Sequence, residues 1–160
     1  MSGSQPGAFT PRDLVAALAP GARLLGLDLG TKTIGIAVSD PAFKVATPRM
    51  TLKRTRLAAD LKVLAAEIAA TGAGGFVVGL PLNMDGSEGP RVQSVRAFVR
   101  NLTAATGLPI AFWDERLSTA AVTRQMIDAD LSRRRRAAVV DQAAATYILQ
   151  GFLDSLARAG

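Results

Sequence analysis

Two apolar runs, 24–29 and 34–38, flank the turn residues Gly30-Thr31-Lys32-Thr33. Short apolar runs on either side of a Gly-containing turn predict a β-hairpin, here over 24–40. Period-2 alternation puts Leu25, Leu27 and Leu29 on one face of its first strand and Gly26, Asp28 and Gly30 on the other. A third strand is expected over 45–53, at a sheet edge because Pro48 cannot donate to a ladder. Leu57, Leu61, Leu64 and Ile68 then recur at helical spacing, which predicts a helix over 56–71 ended by Gly72, Gly74 and Gly75. Residues 76–80 are wholly apolar, as in a strand buried on both faces, and lead into a polar, Gly-rich loop over 81–90. The helix expected over 91–106 turns Val92, Val95 and Val99 inward and leaves Arg91, Arg96 and Arg100 to solvent. A strand over 110–113 follows, running into Asp114-Glu115-Arg116. Ser118 is placed to cap a helix reaching about 129, and a last helix is expected over 138–158.

At the other end, Thr10 as N-cap, Pro11 at the first helical position and a Phe9–Leu14 staple predict a short helix over 10–19. With the tail 1–8 it forms a segment, 1–22, that reads as an appendage to one domain over 23–160. Three strands followed by helix–strand–helix–strand–helix give an α/β protein. Its expected core is a five-stranded mixed sheet flanked by helices.

Composition narrows the chemistry more than the architecture. The 160 residues include no Cys and no His, which excludes disulfides, thiolate sites, Ser-His-Asp triads and imidazole ligands or bases. Hydrolytic chemistry must then run on carboxylates, lysine, hydroxyls or a hard metal. Nineteen Lys+Arg against thirteen Asp+Glu give a net charge of +6, which points to a polyanionic partner such as nucleic acid. No apolar run reaches membrane-spanning length and no signal-peptide pattern opens the chain, so a cytoplasmic protein with no membrane partner is expected.

Three acidic sites stand out against their settings. Asp28 lies inside an apolar strand between glycines, where an unpaired charge would be costly. Asp114-Glu115 follows a buried strand at the end where α/β sheets place ligands. Adjacent strand residues point oppositely, so one of the pair faces the site; Glu115 is preferred, leaving Asp114 as a cap or partner for Arg116. Asp141 shares the helical stripe of Ala144, Ala145, Ile148, Leu149 and Phe152. Carboxylates that converge repel unless a divalent cation lies between them, and oxygen-only ligation suits Mg²⁺ or Mn²⁺. Two such ions about 4 Å apart can activate a water and stabilise the leaving oxygen of a phosphodiester.

Four blocks carry a family resemblance: Gly26-Leu-Asp-Leu-Gly-Thr-Lys-Thr-Ile-Gly-Ile-Ala-Val-Ser-Asp40, Val78-Gly-Leu-Pro-Leu-Asn-Met-Asp-Gly-Ser87, Asp114-Glu-Arg-Leu-Ser-Thr119 and Asp141-Gln-Ala-Ala-Ala-Thr-Tyr-Ile-Leu-Gln150. Together they resemble the signature blocks of the YqgF/RuvX family, in the same order. The resemblance implies an RNase H-like fold and a nuclease for the 5′ end of pre-16S ribosomal RNA, with Asp28, Glu115 and Asp141 as its acidic, metal-holding triad. Compared with RuvC-like enzymes, no acid lies on the strand 76–79, and its role would pass to Glu115. Asp28-Leu-Gly-Thr31 also resembles the phosphate loop of actin-like ATPases, which need a second domain.

Substrate contacts are expected from Thr31 and Lys32 in the hairpin turn, from Asn83 with Asp85 and Ser87 in the 81–90 loop, from Arg116, and from the basic run Arg133, Arg134, Arg135 and Arg136. Trp113 reads as core. Competing readings are a Holliday-junction resolvase acting on branched DNA, which needs a symmetric dimer, and a nucleic-acid-binding module without catalysis. A monomer or weak dimer acting on pre-16S RNA, in company with the small ribosomal subunit, is the leading expectation.

Overall fold

Leucine alternation in the first strand decides how the sheet is covered. In the computed structural model, which describes residues 9–117 and 133–159 (without the side chains of 133–142 and 159), β1 (Arg23–Leu29) is the central strand. It pairs antiparallel with β2 (Thr33–Ser39), and β2 pairs antiparallel with β3 (Ala46–Lys53). On its other side β1 runs parallel to β4 (Ala73–Leu80), and β4 parallel to β5 (Ile110–Asp114). The order β3-β2-β1-β4-β5 is the expected five-stranded mixed sheet, with β3 at an edge. A register shift between Ile36 and Ala37 lets β3 absorb Pro48.

The helices are α1 (Pro11–Ala16), α2 (Leu57–Thr71), α3 (Pro90–Thr106) and α4 (Arg133–Ala159), with one 3₁₀ turn over Glu115–Leu117. Leu25, Leu27, Leu29, Phe76 and Val78 form a core with Leu64 of α2 and with Val92, Val95, Phe98, Val99 and Leu102 of α3. The opposite sheet face, with Leu24, Val77, Ala111 and Trp113, packs on Ala144, Ala145, Ile148, Leu149 and Phe152 of α4. Trp113 meets the Phe152 ring edge-on at 6.3 Å. Among the described residues no helix is long and apolar enough to cross a membrane.

Several expectations need correction. The first helix is no appendage: Leu14 is fully buried in the α4-side core, because α1 closes the end of that face left open by α4. Of the three glycines expected to end α2, only Gly72 does so, in the left-handed conformation (φ 74°). Gly74 and Gly75 belong to β4, where added Cβ atoms would come within 2.9 Å of Ala22 and 3.1 Å of Leu18. On α2 itself Leu57 is exposed, while Asp60 is buried and accepts the Thr55 N–H at 3.1 Å, closing the helix entrance. The last helix starts at Arg133, five residues earlier than its apolar stripe suggests, so the basic run lies within its first turns. Arginine is a good helix former, and a helix needs no apolar stripe to begin. The helix expected after Ser118 and the tail 1–8 lie outside the described residues.

Candidate active site

Asp28 sits one residue before the end of β1, on the α4 side of the sheet, and is 2% exposed. Its antiparallel neighbour is Gly35. On the other side Leu27 pairs with Val78, so one further step sets Asp28 beside Gly79 of β4. Gly79 in turn pairs with Trp113, and Leu80 with Asp114, which brings the residue after β5, Glu115, to the same edge. Glu115 is 5% exposed, and its Cγ lies 3.2 Å from where a Gly79 Cβ would stand. The Ile148 Cδ1 of α4 would overlap that same Cβ. Across three adjacent strand ends the side chains therefore read carboxylate, nothing, carboxylate. The bare position is what admits the Glu115 side chain and α4 together. Asp28 and Glu115 each have an electrostatic or hydrogen-bonding partner, as buried carboxylates must.

Helix α4 reaches this edge by the same device. At Gly26 an added Cβ would stand 2.7 Å from Leu149 Cβ and 3.1 Å from the Ala145 carbonyl oxygen. The helix backbone thus rests almost directly on β1. Asp141 stands on α4 one turn before the buried Ala144 and Ala145; its side chain, like those of Arg133, Arg134, Arg135 and Arg136, lies outside the described residues.

Asp114 takes another part. Its carboxylate accepts the Arg116 backbone N–H at 3.0 Å, Nε at 3.0 Å and Nη2 at 2.7 Å. The Arg116 guanidinium holds the Asp114 carboxyl below its ordinary range. Arg116 Nη1 also donates to the Met84 carbonyl at 3.2 Å, so this side chain straps the 81–89 loop to the end of β5. Within the loop, Asn83 Nδ2 donates to the Ser87 hydroxyl at 2.9 Å, and Ser87 donates to Asp85 at 2.6 Å. The Ser87 hydroxyl and N–H lower the Asp85 carboxyl, with Arg116 adding to the effect. Asn83 and Arg116, expected as substrate contacts, are thus engaged in shaping the loop. Thr31 and Lys32 are exposed at the hairpin tip, where the Lys32 carbonyl accepts the Arg54 N–H at 2.8 Å.

Among the described residues, no three of His, Cys, Asp and Glu gather as a metal cluster. The donors present, Asp28 and Glu115, are oxygen-only and buried at one edge. Such a pair fits a hard cation better than a soft one. Sequence reasoning missed Gly79, whose signal was a lone glycine inside a fully apolar strand, where close approach of another group is the usual cause.

Comparisons with known proteins give the family and the fold. A family model described as "RuvX: Holliday junction resolvase" matches residues 22–155. A Paramagnetospirillum magneticum protein described as "Putative pre-16S rRNA nuclease" is 57% identical over 147 residues, 92% of this chain and 95% of that protein. A Rhodobacter capsulatus protein of the same description is 59% identical over 148 residues, covering 92% and 93%. Among solved structures, Thermus thermophilus RuvC bound to a Holliday junction superposes with a TM-score of 0.52 at 11% identity, covering 84% of this chain and 96% of that one. The yeast mitochondrial Holliday junction resolvase Ydc2 does so with a TM-score of 0.52 at 11% identity, covering 92% and 85%. At such identities these two likenesses speak to the fold alone, which is RNase H-like.

Proposed function

The chain belongs to the RuvX family, and from that premise we propose that it is a divalent-metal-dependent endonuclease that processes the 5′ end of pre-16S ribosomal RNA. The observation that carries the reading is the pair of buried carboxylates, Asp28 and Glu115, on either side of the bare Gly79 at one sheet edge. Asp141, two turns into the helix that packs on this face and one turn before the buried Ala144 and Ala145, would complete the set by its place in the helical repeat. These three would hold Mg²⁺ or Mn²⁺, which supplies an activated water and charge stabilisation at the leaving oxygen.

The chain's own contribution is positioning. Packing on both sides of β1 fixes Asp28, and the 3₁₀ turn that begins at Glu115 turns its side chain back over the sheet edge. Lys32, exposed at the hairpin tip, and the basic run 133–136 would draw the phosphate backbone in; the net charge of +6 favours the same partner. The small ribosomal subunit is the natural carrier of such an RNA, and the cytoplasm its place. A monomer or weak dimer suffices for a single cut.

The test is cleavage of a labelled pre-16S 5′-leader RNA with and without Mn²⁺ or Mg²⁺, by wild type, Asp28→Asn and Glu115→Gln. Loss of an outer-shell partner at a metal site costs about 10–100-fold, so each of these ligand changes is expected to cost at least about 100-fold while RNA binding persists. Cutting that survives both substitutions would refute the acidic site. The family model's own description favours a second substrate, so a four-way DNA junction belongs in the same assay. Preferential junction cutting by a dimer would establish the resolvase reading instead. Binding without cutting of either substrate would leave a recognition module.

A further inference from the structure

On the opposite side of the sheet from Asp28 a cavity of about 180 Å³ opens at the β1–β2 turn. Leu29, Val95 and Phe98 form its apolar floor, and Thr31, Arg54, Arg91 and Ser94 its polar walls. Among the described residues no acidic side chain lines it. Arg54 lies over the Phe98 ring at 5.3 Å and donates Nη1 to the Gly30 carbonyl at 2.7 Å. Arg91 Nη2 donates to the Leu29 carbonyl at 3.2 Å. A guanidinium carries five N–H donors, so one bond apiece fixes these two groups without exhausting them. The first turn of α3 adds its dipole, though Pro90 carries no N–H and the Val92 N–H is accepted by the Gly89 carbonyl at 3.1 Å.

We propose that the Arg54–Arg91 pocket seats a phosphate group of the substrate strand, a second anchor beside the cleaved bond. Two oriented guanidinium groups, a threonine hydroxyl, a serine hydroxyl and a helix N-terminus in one concavity are complementary to a tetrahedral dianion or a phosphodiester. The location makes it an anchor. Leu29, Gly30 and Thr31, which line the pocket, directly follow Asp28 in the chain. A strand laid over this end of β1 meets the carboxylates on one side of the sheet and the pocket on the other. The proposal rests on the nuclease reading for its substrate, and on the pocket itself for its anion chemistry.

The experiment uses the whole, isotope-labelled protein in metal-free buffer, with three probes: inorganic phosphate, a short single-stranded RNA with a 5′-hydroxyl, and the same RNA with a 5′-phosphate. Amide resonances of Thr31, Arg91 and Ser94 are followed, and RNA affinity is measured against salt for wild type, Ser94→Glu and Ser94→Ala. Ser94 is exposed on α3 and takes no part in holding Leu29 or Gly30, so both variants keep the fold, which thermal melting checks. The three amides are expected to move with RNA. Ser94→Glu sets a carboxylate against Arg91, and the slope of log affinity on log salt should fall by about 0.7, one lost single-strand phosphate contact. Ser94→Ala removes a neutral hydroxyl and no charge, so it should weaken RNA binding slightly and keep the slope. Equal effects of the two RNAs identify an internal phosphodiester, and a gain confined to the 5′-phosphorylated RNA a terminal phosphate; both uphold the site. RNA that binds without moving these amides, at an unchanged slope in Ser94→Glu, overturns the pocket and leaves the nuclease reading standing. Amides that move with inorganic phosphate while no RNA binds uphold the anion site and sink the nuclease reading. A pocket silent toward both kinds of probe is no phosphate site.

Discussion

The two faces of the sheet are built on opposite rules. On the face covered by α2 and α3, β1 offers Leu25, Leu27 and Leu29, β4 offers Phe76 and Val78, and the facing helices fill every gap with Leu, Val and Phe. On the face covered by α4 the same strands offer Leu24, Gly26 and Asp28, and Gly75, Val77 and Gly79, so that bare positions alternate with filled ones. One face is filled along these strands, the other is opened at chosen positions. The lesson is about where a site can be afforded: the two carboxylates of the sheet edge, Asp28 and Glu115, are buried where a missing side chain lets a helix descend and a neighbouring acid reach in. Asp60, buried on α2, instead holds the Thr55 N–H at its own helix entrance.

The sharpest way to break that division is to empty the filled face. Leu64→Ala, a fully buried change on α2, should cost about 2–5 kcal/mol of stability while the molecules that remain folded cleave as before. Denaturant unfolding and specific activity, measured on the same preparation, check both halves. A loss of activity beyond the loss of folded protein would show that the faces are coupled. The converse change fills the empty face. Gly79→Ala adds a Cβ that meets Ile148 and comes 3.2 Å from Glu115 Cγ, and overpacking of this kind costs about 1–3 kcal/mol. Ile148 Cδ1 is a chain end that can swing aside, whereas Glu115 can yield only by leaving its position. Gly79→Ala should therefore lower cleavage even where the protein is fully folded. Gly26→Ala, which meets Leu149 and the Ala145 carbonyl but not Glu115, should lower stability, and cleavage only so far as it shifts α4 and with it Asp141. Equal activity in the two variants would deny Gly79 its role.

How much of this was legible in the sequence follows from the range of each signal. Period-2 alternation is local, so the two faces of β1 and the position of Asp28 can be read from seven residues. The resemblance to a known family gave the fold, because its blocks fall in the right order along most of the chain. The choice between Asp114 and Glu115 resisted alternation for a physical reason. The strand ends at Asp114 and a 3₁₀ turn begins at Glu115, so the period changes between the two. Gly79 makes sense only against Ile148, which is distant in sequence. The Asp114–Arg116 pair, two residues apart, is legible in the sequence and present in the structure, whereas the bond from Arg116 to the Met84 carbonyl on another loop is not legible there. Asp60 broke the pattern because the Thr55 N–H, five residues earlier, gives its carboxylate a reason to turn inward. Side-chain partners across the chain, unlike faces, leave no period behind them.

The strap between Asp114, Arg116 and Met84 carries the smallest effect and tests whether the 81–89 loop belongs to the carboxylate edge. Asp114 is held below the ordinary carboxylate value of 3.8 by hydrogen bonds from Arg116. A carboxyl depressed in the folded state binds its proton more readily when unfolded, so its contribution is complete above the unfolded value and fades as pH falls through the folded one. The loop should therefore keep its structure from neutral pH down to about pH 4 and loosen only below that. Exchange protection at the Asn83 and Gly86 amides, which donate to the Ser87 and Asn83 carbonyls at 2.9 and 2.8 Å, reports the event locally. Arg116→Ala should remove the protection at every pH while the global melting transition stays in place, as exposed ion pairs usually allow. Protection that instead falls between pH 5 and 8 would mean that a group other than Asp114 holds the loop. Protection that survives Arg116→Ala would mean that the Asn83–Ser87 and Ser87–Asp85 bonds suffice, and would free Arg116 for the phosphate backbone.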